Sequence, residues 1–254
     1  MEYRIFERIR LRITYPAMGQ FDATRFLVDI SGRDSIAAAI KIIEEDSKSI
    51  LIPSIIELAC EYGDKSKYEE VHRSLRKIFN TGRVRVEQGI VCHGDELWKA
   101  IVTRDIQKTI EKFGFFSPCV ACHQVLHIIR IKIAQHLHVK NVVSGEKESH
   151  DGREKINQLS FVLDFYNRMY EAMGIIHHLP VRNISSSQEI VRILGKYNPK
   201  YVQLKCLFEG NYYKKGTNDL AISKQRIKEY INVCLKKKLD EVGDMIDVPC
   251  SIIE

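Results

Sequence analysis

The chain has 254 residues, 44% of them apolar, with only 6 prolines and a formal net charge of +6. That length fits one large domain, or one domain with a small appendage, and the composition excludes a disordered chain. The N-terminal stretch MEYRIFERIRLR lacks the apolar core of a signal peptide. The most apolar window, Ile50 to Cys60, is broken by Pro53 and Glu57 and is too short to span a membrane. A cytoplasmic protein with no membrane partner is expected, and its seven cysteines, an odd number, are expected to be reduced. The mild positive charge is compatible with a nucleic-acid partner, although many basic enzymes bind none.

In chain order, Arg8 to Thr14 alternates charged and apolar residues and predicts an edge strand, and Phe26 to Ile30 is apolar enough for a buried parallel strand. A helix from Ser35 to Asp46 follows, capped by Asp34 or Ser35. Ile50 to Ala59 predicts the next strand and Tyr62-Gly63-Asp64 a turn. Lys65 to Phe79 predicts an amphipathic helix with a basic face of Arg73, Arg76 and Lys77. A strand at Val84 to Val91 and a helix from Asp95 to Phe113 come next. Leu126, Ile129, Ile133 and Leu137 fall on one helix face. Asn141-Val142-Val143 predicts a brief strand ending in Ser144-Gly145-Glu146, then Glu154 to Met173 a helix, Ile175 to Leu179 a strand and Ser186 to Leu194 a Ser-capped helix. A basic helix, Ser223 to Asp240, and a short tail close the chain. The alternation predicts an α/β fold with a doubly wound, mostly parallel sheet and helices on both faces over residues 1–222. A C-terminal helix and tail, residues 223–254, pack on it. Ligands of such sheets sit at the carboxyl ends of the strands, where SGRDS, FSPCVACH and SGEKESHDGR all fall.

Ser31-Gly32-Arg33-Asp34-Ser35 separates the first buried strand from its helix. A strand–polar loop–helix unit aims backbone N–H groups and a helix N-terminus at one point, which suits phosphate. The spacing is not that of a Walker loop, and the three glycines of a dinucleotide fingerprint are absent. Taken as residues alone, the five could equally be a polar turn ending in a helix cap. The loop resembles the SGGxDS signature of the PP-loop ATP pyrophosphatases. Ser31, Gly32, Asp34 and Ser35 match, Arg33 stands in the variable region, and one loop residue is missing. The resemblance implies an adenine nucleotide alpha-hydrolase-like fold and ATP with Mg²⁺ as cofactors.

Cys119 and Cys122 adjoin a helix start, where the dipole and free N–H groups favour thiolates. The residues leave several readings open: a haem-attachment string, a redox pair, part of a zinc site that would need four ligands, or two buried cysteines. The segment Pro118-Cys119-Val120-Ala121-Cys122-His123, its helix and the strand ending in Ser144-Gly145 resemble the tRNA 2-thiouridylases of the PP-loop class, with His123 in place of Asn. The enzymes that insert sulfur into the nickel-pincer cofactor are similar, and share a stretch like LPVRNISSSQEIVRIL. The resemblance spans about residues 24 to 206. It implies Cys206 as a third cysteine and a 4Fe-4S cluster on Cys119, Cys122 and Cys206, with zinc as the weaker option. A two-cysteine version would pass a persulfide. Cys60, Cys92, Cys234 and Cys250 match no motif and are expected to be fillers or surface residues.

SGEKESHDGREKINQ places Glu146, Glu148, Asp151, Arg153 and Lys155 around Gly145 and Gly152. By frequency this is a solvated charged loop. The resemblance instead lays it over ATP, with Gly145 and Arg153 or Lys155 near the phosphates and Asp151 or Glu146 on Mg²⁺. His177-His178 is expected to be a strand end and Trp98 to be core. The expected function is ATP-dependent sulfur transfer, with Asp34, Cys119, Cys122 and Cys206 catalytic and Ser31 to Ser35 on the nucleotide. Sulfide or a persulfide carrier is the donor, and the enzyme is a homodimer. A tRNA acceptor is slightly favoured by the basic residues Arg73, Arg76, Lys77, Arg83, Arg85 and Lys236 to Lys238. The alternatives are an amidating ligase, sulfur insertion into a small-molecule cofactor, and a non-catalytic nucleotide- or metal-binding regulator.

Overall fold

The computed structural model describes residues 3–16, 22–46, 48–79, 83–197, 204–240 and 244–253. After a 3₁₀ turn, Arg4–Arg8, the elements run β1 Ile9–Arg12, β2 Thr24–Asp29, α1 Arg33–Glu45, β3 Ser49–Glu57, β4 Glu61–Tyr62, α2 Lys67–Phe79, β5 Val84–Val86 and β6 Gly89–His93. Next come α3 Asp95–Trp98, continued by a π turn Lys99–Thr103, then α4 Ile106–Phe113, α5 Cys119–His136, β7 Asn141–Val143, a 3₁₀ turn Ile156–Gln158 and α6 Ser160–Ala172. The chain finishes with β8 Ile176–His178, α7 Ser187–Leu194, β9 Lys205–Cys206, α8 Lys224–Tyr230, a π turn Ile231–Leu235, α9 Lys236–Asp240 and β10 Ile246–Ile253.

The sheet order is β1-β10-β6-β3-β2-β7-β8, with β5 also on β3, and β4 pairs β9 separately. From β6 to β8 every pairing is parallel. Every residue of β3 is buried, as expected of a strand covered by helices on both faces. One apolar core lies between the sheet and α1, α2 and α7, and a second packs α5 and α6 with the C-terminal helix. The expected α/β architecture is therefore the observed one.

Several elements differ in detail from their sequence patterns. The strand expected at Val84 to Val91 is two strands on the same edge of β3, one on Ser49–Leu51 and one on Ser54–Glu57. Pro53 sits where the edge changes partner, which suits a residue without an N–H. The helix expected over Asp95 to Phe113 is interrupted at Asp105, and that over Glu154 to Met173 opens with the separate 3₁₀ turn. Helix α5 is apolar nearly all round, with Ile128, Ile129, Ile131 and Ile133 all buried, rather than striped on one face. The C-terminal tail enters the main sheet: β10 runs parallel to β1 and antiparallel to β6.

That insertion overturns one expectation. Cys250 and Cys92 face each other across β10 and β6 and form a disulfide, so the seven cysteines are not all reduced. An odd cysteine count says nothing about two residues that pairing 158 positions apart brings face to face. Reductant should lower the unfolding free energy by about 2–4 kcal/mol, and Cys250→Ser should remove that dependence. Melting curves identical with and without reductant would contradict the pairing.

Candidate active site

The phosphate-type loop is organised by a residue just outside it. Asp29, the last residue of β2, is buried and accepts hydrogen bonds from Ser31 N (3.1 Å), Ser31 Oγ (3.0 Å) and Ser35 Oγ (2.8 Å). Arg130 of α5, itself buried, reaches the same carboxylate at 3.0 Å. A buried carboxylate needs this many partners, so the turn has little freedom. Ser35 is thereby spent on Asp29 and does not cap α1. The helix starts at Arg33 with Gly32 as N-cap and no capping side chain, leaving its first N–H groups without intrahelical partners. Ser31 to Ser35 line a cavity of about 1070 Å³.

Gly145 closes the other side of the loop. A Cβ there would lie 2.2 Å from Ser35 N and 2.5 Å from Ser35 Cα, so the turn after β7 rests on the start of α1 only because this residue has no side chain. The next residues turn inward. Lys147 is fully buried with Nζ 3.6 Å from the Asp34 carboxylate. His150 hydrogen-bonds Gln158. Burial, with the Lys155 and Lys147 charges, pulls its ring down to about 4. Lys155 is lowered, chiefly by burial. With exposed Arg33 and Arg153 these groups line the same cavity, making it cationic at the loop end.

The expected sulfur ligands also converge. Cys119 and Cys122 are in the first turn of α5 and Cys206 is in β9, which pairs β4 immediately after Cys60. Cys60 is therefore no filler: its Sγ lies 3.9 Å from Cys122 Sγ and interacts with the Cys206 thiol. Trp98, in the core as expected, donates its Nε1–H to Cys122 Sγ at 2.8 Å. Burial raises the Cys119 thiol to about 12, with Cys206 adding to the effect. The Cys60 thiol is raised first by its bond to Cys122, and the Cys206 thiol first by its bond to Cys60. Cys60, Cys119 and Cys206 stay protonated on their own, and with Cys122 nearby they suit an iron–sulfur cluster, whose charge would stabilise the thiolates. None of the four sulfurs lines the cavity beside the loop, but Glu61 and His123, the neighbours of Cys60 and Cys122, do.

Glu146 and Asp151, expected on Mg²⁺, both line the cavity. Asp151 accepts from Ser187 N at 2.8 Å and from Ser187 Oγ, tying the loop to the start of α7. Glu146 is buried beside His123 and His127. Burial alone would raise its carboxyl, but the two imidazoles and Arg130 outweigh it and hold it well below the usual carboxylate range. His177 and His178 end β8 as expected, and no helix among the described residues is long and apolar enough to cross a membrane. The sequence reading missed Asp29, Arg130, Lys147, Cys60 and His127. A carboxylate ending an apolar strand and two histidines four apart were the available signals.

The sheet, the loop after its first central strand and the helix opening at Ser31 to Ser35 form an α/β fold shared with solved structures. The solved complex of a 4-thiouridine synthetase with RNA and bound ATP superposes with a TM-score of 0.54 at 14% identity. It covers 91% of this chain, and the chain spans 55% of the synthetase. The U34-tRNA thiolase NcsA from Methanococcus maripaludis with its 4Fe-4S cluster is less similar, with a TM-score of 0.48, 13% identity and coverage of 88% of this chain and 75% of that one. No family model matches the sequence. The chain belongs to the family of the uncharacterized protein MJ0009 from Methanocaldococcus jannaschii, to which it is 30% identical over 235 residues, covering 91% of this chain and 80% of that protein.

Two outcomes follow for the site. Gly145→Ala should destabilise the protein by about 1–3 kcal/mol. Melting at the wild-type temperature would show that the loop is not pinned from that side. Burial raises the Glu61 carboxyl to about 7, with Asp29 and Glu57 adding to the effect. The folded state then keeps a proton that the unfolded chain has released, so stability falls as pH rises from about 4.5 to 7. Glu61→Gln should flatten the melting temperature across that window and raise it at pH 8, and an unchanged pH profile would count against the shift.

Proposed function

We propose that the protein uses ATP to adenylate a carbonyl oxygen of an acceptor and then replaces that oxygen with sulfur. The observation that carries this reading is that α5 links both halves of the site. Its first turn holds Cys119 and Cys122, and its later residues Leu126 and Arg130 line the cavity with the Asp29-locked loop. ATP phosphates lie against Ser31, Gly32, Arg33, Asp34 and Ser35, with Lys147, Arg153 and Lys155 balancing their charge. Asp34, at the mouth of the loop, is a carboxylate that can meet Mg²⁺ bound to phosphate oxygens. The acceptor oxygen attacks the α-phosphorus, the bond to the β-phosphate breaks and pyrophosphate leaves. Sulfide adds to the activated carbon and expels AMP with the original oxygen. From a persulfide carrier the outer sulfur adds instead and AMP leaves. A second thiolate of the carrier then attacks the carrier sulfur, forming a carrier disulfide and releasing the thiolated acceptor. Cys119, Cys122 and Cys206, with Cys60 beside them, would hold an iron–sulfur cluster that presents the sulfur, in a homodimeric cytoplasmic enzyme.

The acceptor proposed is tRNA. Arg73, Arg76 and Lys77 are exposed along α2, and Arg83 is exposed beyond it, a spacing that can track a phosphate backbone. Lys238 is less available, since it reaches Ile101 O at 2.7 Å and Asp105 at 3.5 Å. With acceptor and sulfide, ATP should yield AMP and pyrophosphate, and Asp34→Ala should reduce the rate at least 100-fold. Release of ADP and phosphate would refute the reading. Binding of tRNA should weaken with salt, the log–log slope falling by about one for each of Arg73 and Arg76 changed to Ala. A slope that ignores both changes would point to a small-molecule acceptor.

A further inference from the structure

Beside the nucleotide cavity, and apart from the cysteines, three ligand-type atoms face one another. His123 Nδ1, His127 Nε2 and a Glu146 carboxylate oxygen all lie within 4.8 Å of one another. His123 and His127 are four residues apart on α5, so one helix face presents both rings. Glu146 comes from the turn after β7, fixed in place by the close approach of Gly145 to α1.

We propose that His123, His127 and Glu146 bind one divalent transition-metal ion of the zinc or ferrous type, with its remaining coordination positions open to the nucleotide cavity.

The distances suit such an ion. Glu146 Oε1 is 3.1 Å from His127 Nε2 and 3.6 Å from His123 Nδ1. Two ligands at metal-bond length around a tetrahedral ion stand about 3.4 Å apart. Closeness alone would also describe two hydrogen bonds to a carboxylate, but neither pair has the alignment of one. His123 Nδ1, His127 Nε2 and Glu146 Oε2 are all buried without a hydrogen-bond partner. Three orphaned polar atoms in one place call for a shared partner.

The outer contacts are those a metal site uses. His127 Nδ1 is 3.0 Å from the Tyr170 hydroxyl and His123 Nε2 is 2.9 Å from the Asn157 side-chain amide. Both rings are thus held from behind, with the other nitrogen facing Glu146. Metal on His123 Nδ1 puts that ring's proton on Nε2, and a half-turn of the Asn157 amide presents its oxygen to receive it. Charge points the same way. Buried Arg130 stands against two buried carboxylates, Asp29 and Glu146, an excess of acidic groups that a cation would balance. Two nitrogens and one carboxylate select zinc, iron or cobalt over magnesium. His123 and Glu146 both line the cavity, so the uncovered side of the ion faces the space where an acceptor would lie.

Cobalt(II) is the probe. Full-length chelator-treated protein, titrated anaerobically, should bind one Co²⁺ with visible ligand-field bands and without the near-ultraviolet charge-transfer bands of thiolate ligation. The signal should persist in a Cys119→Ser, Cys122→Ser, Cys206→Ser variant. Glu146→Gln should abolish it, and His123→Gln, at a ring still partly exposed, should weaken binding at least tenfold with the circular-dichroism spectrum unchanged. Tyr170→Phe should weaken it about 10–100-fold. Failure of the wild type to bind Co²⁺, unchanged binding in both Glu146→Gln and His123→Gln, or a thiolate-type spectrum lost only in the cysteine variant would each overturn the assignment. None of these readouts depends on ATP turnover.

Discussion

The structure hangs on one buried carboxylate. Asp29 sits where the central strand β2 stops, and burial there is tolerable only because Ser31, Ser35 and Arg130 all satisfy it. Those contacts turn a flexible Ser-Gly-Arg-Asp-Ser stretch into a fixed loop, and they draw Arg130, hence α5, against the end of the sheet. The backbone contact of Gly145 on Ser35 adds the third wall. Once these meet, the cavity, the thiol group and the histidines have no other place to go.

Helix α5 shows how much one element can carry. Its first turn brings Cys119 and Cys122 to Cys60 and Cys206, its second presents His123, its third His127, and Arg130 comes a turn later. Because the helix is buried on nearly every side, its polar residues are placed with little freedom. Arg130 meets Asp29 through one guanidinium nitrogen, whereas the ring atoms of His123 and His127 that face Glu146 make no hydrogen bond.

Much of this was legible in the sequence where the information is local. The apolar run before Ser31, the helix after it and the Ser186 cap on α7 follow from neighbouring residues. So did the placement of Cys119 and Cys122 at a helix start. What was hidden is long-range. Cys60 meets Cys206 only because β4 pairs β9, and Cys92 meets Cys250 only because β10 enters between β1 and β6. Charged loop residues default to solvent in any sequence reading, so the burial of Glu146 and Lys147 could not be anticipated. Asp29 and Arg130, a hundred residues apart, each looked like an isolated charge in an apolar segment.

The most direct test of this arrangement is a crystal structure of the protein with an ATP analogue that resists cleavage between the α and β phosphates. The account predicts phosphate oxygens within hydrogen-bonding distance of backbone N–H groups of residues 31–35, with the Asp29 contacts intact. Phosphates bound elsewhere in the cavity, or a loop that has released Asp29, would contradict it.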